Sequence, residues 1–385
     1  MSMSSPLEIH GHCAPGYEGV RDAFAANFNN GLDDGASVCV TVDGAPVVDL
    51  WAGTRDAEGM LPWETDTLVN VYSTTKTMAA LTLLLLADRG AFDLHDPVSH
   101  LWPEFGAAGK AEVTIAHLLS HSAGLSGLDT PVPPEALYDH ERICTLLAAQ
   151  EPWWPPGTAS GYHAITQGYL LGEVVKRATG HSLGTVFRTE IAEPLGIDFH
   201  IGTGPECDPR IGDLIPPAEN LGQVLGGSAD SIAARTFGNP ATSALQSREI
   251  GWRRAEIPAA NGHGNARSVA RAQALLACGG ELDGKRLMSE AGARRALEVQ
   301  TDGPDLVLGM PARFGMGYGL SQPMMPLPPG AAFWGGWGGS LILADLDART
   351  TYAFVMNRMV STLMGDPRTL GIGMAVATAF GGRAA

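Results

Sequence analysis

Ser73 and Lys76 stand three residues apart at the start of a segment, about residues 74–89, that reads as a strong helix. Positions i and i+3 share a helix face, so the lysine amine can reach the serine hydroxyl. The N-terminal end of a helix carries positive partial charge, which favours an alkoxide or an oxyanion at the serine. A serine hydroxyl becomes a nucleophile only with a base beside it. Lysine can be that base once burial or a neighbouring cation depresses its pKa, whereas arginine does not deprotonate. The chain has 25 basic residues, and only Lys76, Lys110, Lys176 and Lys285 are lysines. A lysine here is therefore informative. On its own, S-x-x-K also fits a helix-capping serine with a solvated lysine. The flanks oppose that, because Thr77-Met78-Ala79-Ala80 and the leucine run beyond them predict a helix buried on most sides.

Two further segments carry chemistry. Tyr162 lies in a short loop after Pro156-Gly157 and before the amphipathic pattern 166–179, and a phenol near a lysine can relay protons. Phe333-Trp334-Gly335-Gly336-Trp337-Gly338-Gly339-Ser340 leads into a β-rich run. Its glycines let backbone N–H groups approach a ligand and bind an oxyanion. Other motifs are weaker. Gly180-His181-Ser182-Leu183-Gly184 is a literal G-x-S-x-G, but it follows a helical pattern, not a strand. Gly180 reads as a helix end and Ser182 as the cap of the next helix. His117 and His121 stand four apart without the glutamate of H-E-x-x-H or a third ligand, so no metal site is expected.

These residues need a frame. Residues 16–30 predict an amphipathic helix with Val20, Phe24 and Phe28 on one stripe. Ser37–Val42 and Val47–Trp51 predict a hairpin across Asp43-Gly44, and 340–344 with 350–357 predict a second one. The middle of the chain is mostly helical in pattern (115–120, 141–149, 166–179, 182–191, 268–278), with long loops and a short helix over 200–245. A last helix is expected over about 362–380. The fold class is therefore α+β. One antiparallel sheet is built from both ends and flanked by terminal helices, with an all-helical domain inserted. Residues 1–70 and 265–385 would form the first domain and 71–264 the second, with the site between them.

Composition narrows the function. The 385 residues carry a net charge of −16, which disfavours nucleic acid and anionic membrane surfaces as partners. The longest apolar run, Met78 to Ala87, is about half a membrane span. The first residues lack a basic segment followed by an apolar one, so no secretory signal is expected. Five scattered cysteines without a C-x-x-C pair suggest a reducing cytoplasm.

Taken together, the three segments resemble the serine β-lactamase and penicillin-binding-protein superfamily. Within it the chain looks most like the class C β-lactamase-like esterases, the family VIII carboxylesterases. The resemblance extends to the early hairpin, the run from Ile115 to Leu125, the Pro156-Gly157 loop and Asn357-Arg358-Met359. It implies a β-lactamase/transpeptidase-like fold. By this likeness Ser73 is the acylated nucleophile, and Lys76 activates it and holds a shared proton. Tyr162 is the general base for acylation and the acid for the leaving group. Trp334-Gly335-Gly336 takes the place of the family's K-T-G and would bind substrate, and the N–H groups of Ser73 and Trp337 form the oxyanion hole. No cofactor is implied, and the oligomeric state is left open.

Two positions depart from the lactamase pattern. Ala164 stands where Y-x-N has its amide, and Trp334 replaces the lysine that meets a substrate carboxylate. Losing one charge-assisted contact costs roughly 1.5–3 kcal/mol. Trp153, Trp154, Met310, Met324 and Met325 are candidates to line an apolar pocket. The expected activity is hydrolysis of short to medium neutral carboxylic esters. The alternatives are amide or β-lactam hydrolysis, acyl transfer, or binding without catalysis.

Overall fold

A computed structural model describes residues 7–217, 228, 230–361 and 366–381. From the N-terminus come β1 (Ile9–Cys13), α1 (Glu18–Asn29), β2 (Gly35–Val42), β3 (Ala45–Gly53) and β4 (Val69–Asn70). The helical middle holds α2 (Thr75–Asp88), α3 (Ile115–Leu119), α4 (His140–Ala149), α5 (Thr166–Thr179) and α6 (Leu183–Phe187), with shorter turns between. Then follow β5 (His200–Ile201), β6 (Gly262–Gly264), α7 (Ala266–Ala277), β7 (Glu281–Leu282) and β8 (Lys285–Arg286). The chain closes with β9 (Thr301–Pro304), β10 (Pro311–Phe314), β11 (Gly319–Leu320), β12 (Ala331–Gly335), β13 (Leu341–Asp345), β14 (Thr350–Met356) and α8 (Pro367–Gly381).

Nine strands form one antiparallel sheet in the order β1-β3-β2-β14-β13-β12-β11-β10-β9. Its centre is the β2–β14 pairing, from Val42 opposite Thr350 to Ala36 opposite Met356. The two ends of the chain thus meet in mid-sheet, as expected. Adjacent residues of a strand face opposite sides. On β14, Thr351 Oγ1 donates to the Ala270 carbonyl of α7, while Tyr352 Oη donates to the Thr369 carbonyl of α8. The two helices therefore cover opposite faces. A β strand clothed on both faces is buried throughout, and every residue of β14 is buried, with polar side chains at Thr350 and Thr351.

Several elements escaped the sequence patterns. β1, with the sequence IHGHC, is mostly exposed and has no apolar alternation. The short strands β4, β5 and β6 form a separate three-stranded sheet beside the start of α2, within segments expected to be helix or loop. Strands of two or three residues are too short to show a period. Trp334 and Gly335 finish β12 instead of lying in the loop before a strand. Ser73 does not open α2: it sits in a 3₁₀ turn, Tyr72–Thr74, that precedes the helix. The last helix begins at Pro367, and the expected residues 362–365 lie outside the described residues, as does part of the 200–245 segment.

α2 is the axis of the helical part. All residues from Thr75 to Leu86 are buried, so the helix has no solvent face. α5 has the expected limits, and Gly180 ends it with φ +78°. α4 and α5 are joined by polar contacts. His140 Nε2 of α4 lies 3.2 Å from Glu173 Oε2 of α5, Lys176 Nζ of α5 donates to Glu141 Oε1 of α4 at 3.0 Å, and within α5 Arg177 Nε donates to Glu173 Oε1 at 2.7 Å. The hydrogen bonds from His140 and Arg177 pull the buried Glu173 carboxyl down to about 2. A depressed folded-state pKa stabilises the fold above the unfolded value and is lost as the pH falls toward the folded one. Glu173→Gln is expected to lower stability by about 1–2 kcal/mol at pH 7. In urea titrations its deficit against wild type should shrink as the pH drops below the ordinary carboxylate range.

Candidate active site

The residue before the serine sets the site. Tyr72 has φ +42°, a conformation that a bulky side chain enters at a cost. Its ring is buried against Trp337, 4.9 Å between centroids, and Thr75 Oγ1 donates to its carbonyl at 2.5 Å. The same Thr75 hydroxyl accepts the Gly262 N–H at 2.8 Å and so links the turn to β6. These contacts hold the turn that presents Ser73 just ahead of α2.

Lys76 lies one helical turn on and is 1 % exposed. Its Nζ lies 3.1 Å from Ser73 Oγ and donates to the carbonyls of Ala164 at 2.7 Å and Ala259 at 2.9 Å. No carboxylate appears among these partners. Burial therefore pushes its pKa well below the usual lysine value. Tyr162 Oη donates to Ser73 Oγ at 2.5 Å, and the amine sits 4.9 Å from the phenol ring. Burial raises the phenol, so it stays protonated. The three groups picked from sequence thus converge on one oxygen. The missing amide at Ala164 is answered by that residue's own main-chain carbonyl, and the second carbonyl, from Ala259, had no signal in the sequence.

β12 completes the wall. The Ser340 hydroxyl meets Thr74 Oγ1 at 2.9 Å and donates to the Val71 carbonyl at 2.8 Å, tying the loop after β12 to the serine turn. A Cβ on Gly336 would meet the Val71 oxygen at 2.1 Å, so only glycine fits there. The N–H of Trp337 meets no acceptor among the described residues. Ser73 lies in the first turn of a 3₁₀ segment, where N–H groups have no partner inside the helix. Arg368, 1 % exposed, braces this loop from α8. It donates to the Gly338 carbonyl, Asp33 and Asp366, each at 2.7 Å.

A cavity of 340 Å³ opens beside Ser73. Phe237, Leu308, Met310, Phe314, Met324 and Trp334 give it a mainly apolar lining. Met310 and Met324 are as expected, but three of the anticipated residues do not line it. Trp153 donates its indole N–H to Asp129 beneath Arg235, and Trp154 packs on Gly161 and donates to the Ala159 carbonyl. Met325 pairs through its backbone with Gln322. Phe237, Leu308 and Phe314 were missed, because lone apolar residues in loops carry no signature.

The decoy motifs have structural work. Ser182 accepts the Thr185 N–H and caps α6, while its hydroxyl donates to Glu256. His117 closes a capping box with Thr114. His121 lies buried under Trp334, 5.4 Å between centroids, and accepts the His163 N–H at 3.1 Å. Burial among His163 and Lys76 holds it well below the usual imidazole range, so it is a neutral floor under the site. Among the described residues, one group has metal-ligand spacing: His140, Cys144 and Glu173. It shares no residue with this site.

Residues 24–373 match the Beta-lactamase family. This chain belongs to that family. It is 37 % identical over 368 residues to Esterase/beta-lactamase LipL of Mycobacterium tuberculosis, a match that covers 92 % of this chain and 84 % of the relative. A crystal structure of a family VIII carboxylesterase superposes with a TM-score of 0.91 at 40 % identity, covering 97 % of this chain and 100 % of that one. A penicillin-binding-protein homologue from Caulobacter crescentus gives 0.90 at 37 % identity, again over 97 % and 100 %. Esterase and penicillin-binding names thus meet on one beta-lactamase-family fold.

Gly336 is the tightest joint in the site. Gly336→Ala is expected to lower kcat toward esters by about tenfold or more and to destabilise the fold by about 1–3 kcal/mol. Steady-state kinetics and a urea midpoint on the same preparation check both.

Proposed function

We propose that this protein is a serine carboxylesterase that hydrolyses short to medium neutral esters through an acyl-enzyme on Ser73. The observation that carries this reading is the convergence of Tyr162 Oη and Lys76 Nζ on Ser73 Oγ at one end of an apolar cavity. The names of LipL and of the family VIII carboxylesterase support it.

The proton path follows from the partners of Lys76. A neutral amine has two N–H bonds and one lone pair. The Ala164 and Ala259 carbonyls take the two N–H bonds, which leaves the lone pair toward Ser73 Oγ. Ser73 then attacks the ester carbonyl carbon as its proton passes to Lys76. The N–H groups of Ser73 and Trp337 hold the oxyanion. The tetrahedral intermediate collapses by breaking the bond to the alcohol oxygen. Tyr162 gives that oxygen its proton and is reprotonated by Lys76. Water repeats the sequence in reverse, and Ser73 is released. This division makes Lys76 the first acceptor and Tyr162 the acid, whereas the likeness to the family gave the first acceptance to Tyr162. The reason is burial, which favours the neutral forms of both groups.

Trp334 stands in place of a cation, and no Lys or Arg is among the described residues that line the cavity, which supports esters over β-lactams. The double name of LipL favours β-lactam turnover as a slower second activity on the same serine. The five cysteines are free, which supports residence in a reducing cytoplasm. Among the described residues no helix is long and apolar enough to cross a membrane. The division into residues 1–70 with 265–385 and 71–264 is part of the proposal, with Ser73 at the junction.

Wild type is expected to turn over p-nitrophenyl butyrate, and Ser73→Ala to lose about 10³-fold or more. Turnover that survives Ser73→Ala would overturn the reading. The lysine role predicts a pH profile. kcat/KM should rise as Lys76 loses its proton and level off well below the ordinary lysine range. Lys76→Arg should not restore that limb, because a guanidinium keeps its proton.

A further inference from the structure

Asp305 is a buried carboxylate that this mechanism does not use. It is 1 % exposed and follows β9 directly. Its Oδ1 accepts three main-chain N–H groups: Val307 at 2.9 Å, Leu308 at 2.8 Å and, from a segment 143 residues away, Tyr162 at 3.1 Å. Its Oδ2 meets no hydrogen-bond partner among the described residues. A buried carboxylate with half its acceptors unused is costly, so a fold that keeps one needs a reason. A second tether lies alongside: the Leu306 N–H donates to the Ser160 carbonyl at 2.9 Å. The turn after β9 thus grips the loop 160–162 at both ends. The same turn carries Leu308 into the wall of the cavity.

We propose that Asp305 is a positioning residue for ester cleavage, clamping the main chain of Tyr162 so that its hydroxyl stays on Ser73 Oγ and on the departing alcohol oxygen. This rests on the reading of Tyr162 as the proton donor. The negative charge adds to the effect. It opposes a second negative charge on the neighbouring phenol and so helps to keep Tyr162 a donor. Lys76 Nζ lies 4.9 Å from the centre of the ring, and His121, 5.1 Å from it between centroids, is held neutral by burial.

The test separates proton donation from general damage through the leaving group. p-Nitrophenolate departs without a proton, whereas ethoxide needs one. Asp305→Asn keeps the shape but removes the charge, so the three hydrogen bonds that make the clamp lose their charge assistance, and its amide nitrogen finds no acceptor among the described residues where Oδ2 sits. Because both esters share one butyryl-enzyme, the split is read in kcat/KM, which reports acylation alone: it is expected to fall about tenfold for ethyl butyrate and less than about threefold for p-nitrophenyl butyrate. In a Tyr162→Phe background the same substitution should cost nothing more, because its effect runs through the phenol. Asp305→Ala should widen the leaving-group split. If Asp305→Ala fails to fold, Asp305→Asn decides alone. Equal losses on the two esters, full activity in Asp305→Asn, or an undiminished further loss in the Tyr162→Phe background would each overturn the proposal. Tyr162→Phe by itself keeps the two readings apart. If it shows no leaving-group split, the donor role of Tyr162 fails. If it shows the split and Asp305→Asn does not, only the role of Asp305 fails.

Discussion

One desolvated amine organises this site. Moving an ammonium from water into a protein interior costs several kcal/mol unless a carboxylate or other donors and acceptors repay it. Among the described residues Lys76 has no carboxylate partner; its Nζ meets two main-chain carbonyls and the Ser73 hydroxyl. The cheapest solution is for the amine to shed its proton, which is the state a base requires. Everything around it serves that state. α2 must be apolar on all sides to keep water away, and its residues from Thr75 to Leu86 are buried. The segments that carry Ala164 and Ala259 must approach closely enough to offer their carbonyls. β6 is bound to the first turn of α2 through Thr75 and Gly262, which fixes the approach from one side.

The other half of the site depends on the ends of the chain meeting. β12 reaches the serine turn only because β13 and β14 carry the register of the sheet across to β2. Its last residues then pass so close to Val71 that Gly336 has no room for a side chain. The loop that follows is braced from behind by Arg368, whose charge is shared between Asp33 and Asp366. Two carboxylates around one guanidinium leave a net negative charge in the interior, and burial pushes Asp33 up to about 6. The arrangement gains directionality: a planar guanidinium fixes the Gly338 carbonyl, and with it the path of the backbone through Trp337.

Legibility in the sequence followed the range of the interaction. The α2 segment was readable because burial on all sides leaves an apolar run, and Lys76 stood out against it. The hairpin β2–β3 and the limits of α5 were readable because turn chemistry and capping are local. Tyr162 and the Trp334–Trp337 segment could be paired with Ser73 only through their order along the chain, which pointed to a family. What stayed hidden was set by contacts across the chain. The carbonyl of Ala259 has no side-chain identity to betray it. Phe237, Leu308 and Phe314 are ordinary apolar residues until the fold gathers them. Asp305 reads as one aspartate among many, and its hold on Tyr162 exists only once β9 lies beside the loop. The positive φ of Tyr72 was likewise unreadable, because a tyrosine gives no hint of a left-handed backbone.

The two departures from the lactamase pattern act in the same direction. An amide at position 164 and a lysine at position 334 would both place polar groups at the mouth of the site. Here Ala164 contributes only its backbone, already engaged by Lys76, and Trp334 stacks on His121 and Phe314. The three rings put an apolar surface where the lactamase pattern has a lysine. A charged acyl group would have to give up its hydration there with no counter-charge in return, a penalty that grows as the medium becomes less polar. A neutral acyl chain loses only ordered water. That surface lies close to the base: His121 packs on both Trp334 and Tyr162, and Lys76 Nζ lies 4.9 Å from the centre of the Tyr162 ring. On the proposed reading, substrate choice and the neutral state of the base are therefore linked, because burial in apolar surroundings favours both an unprotonated amine and a neutral acyl group.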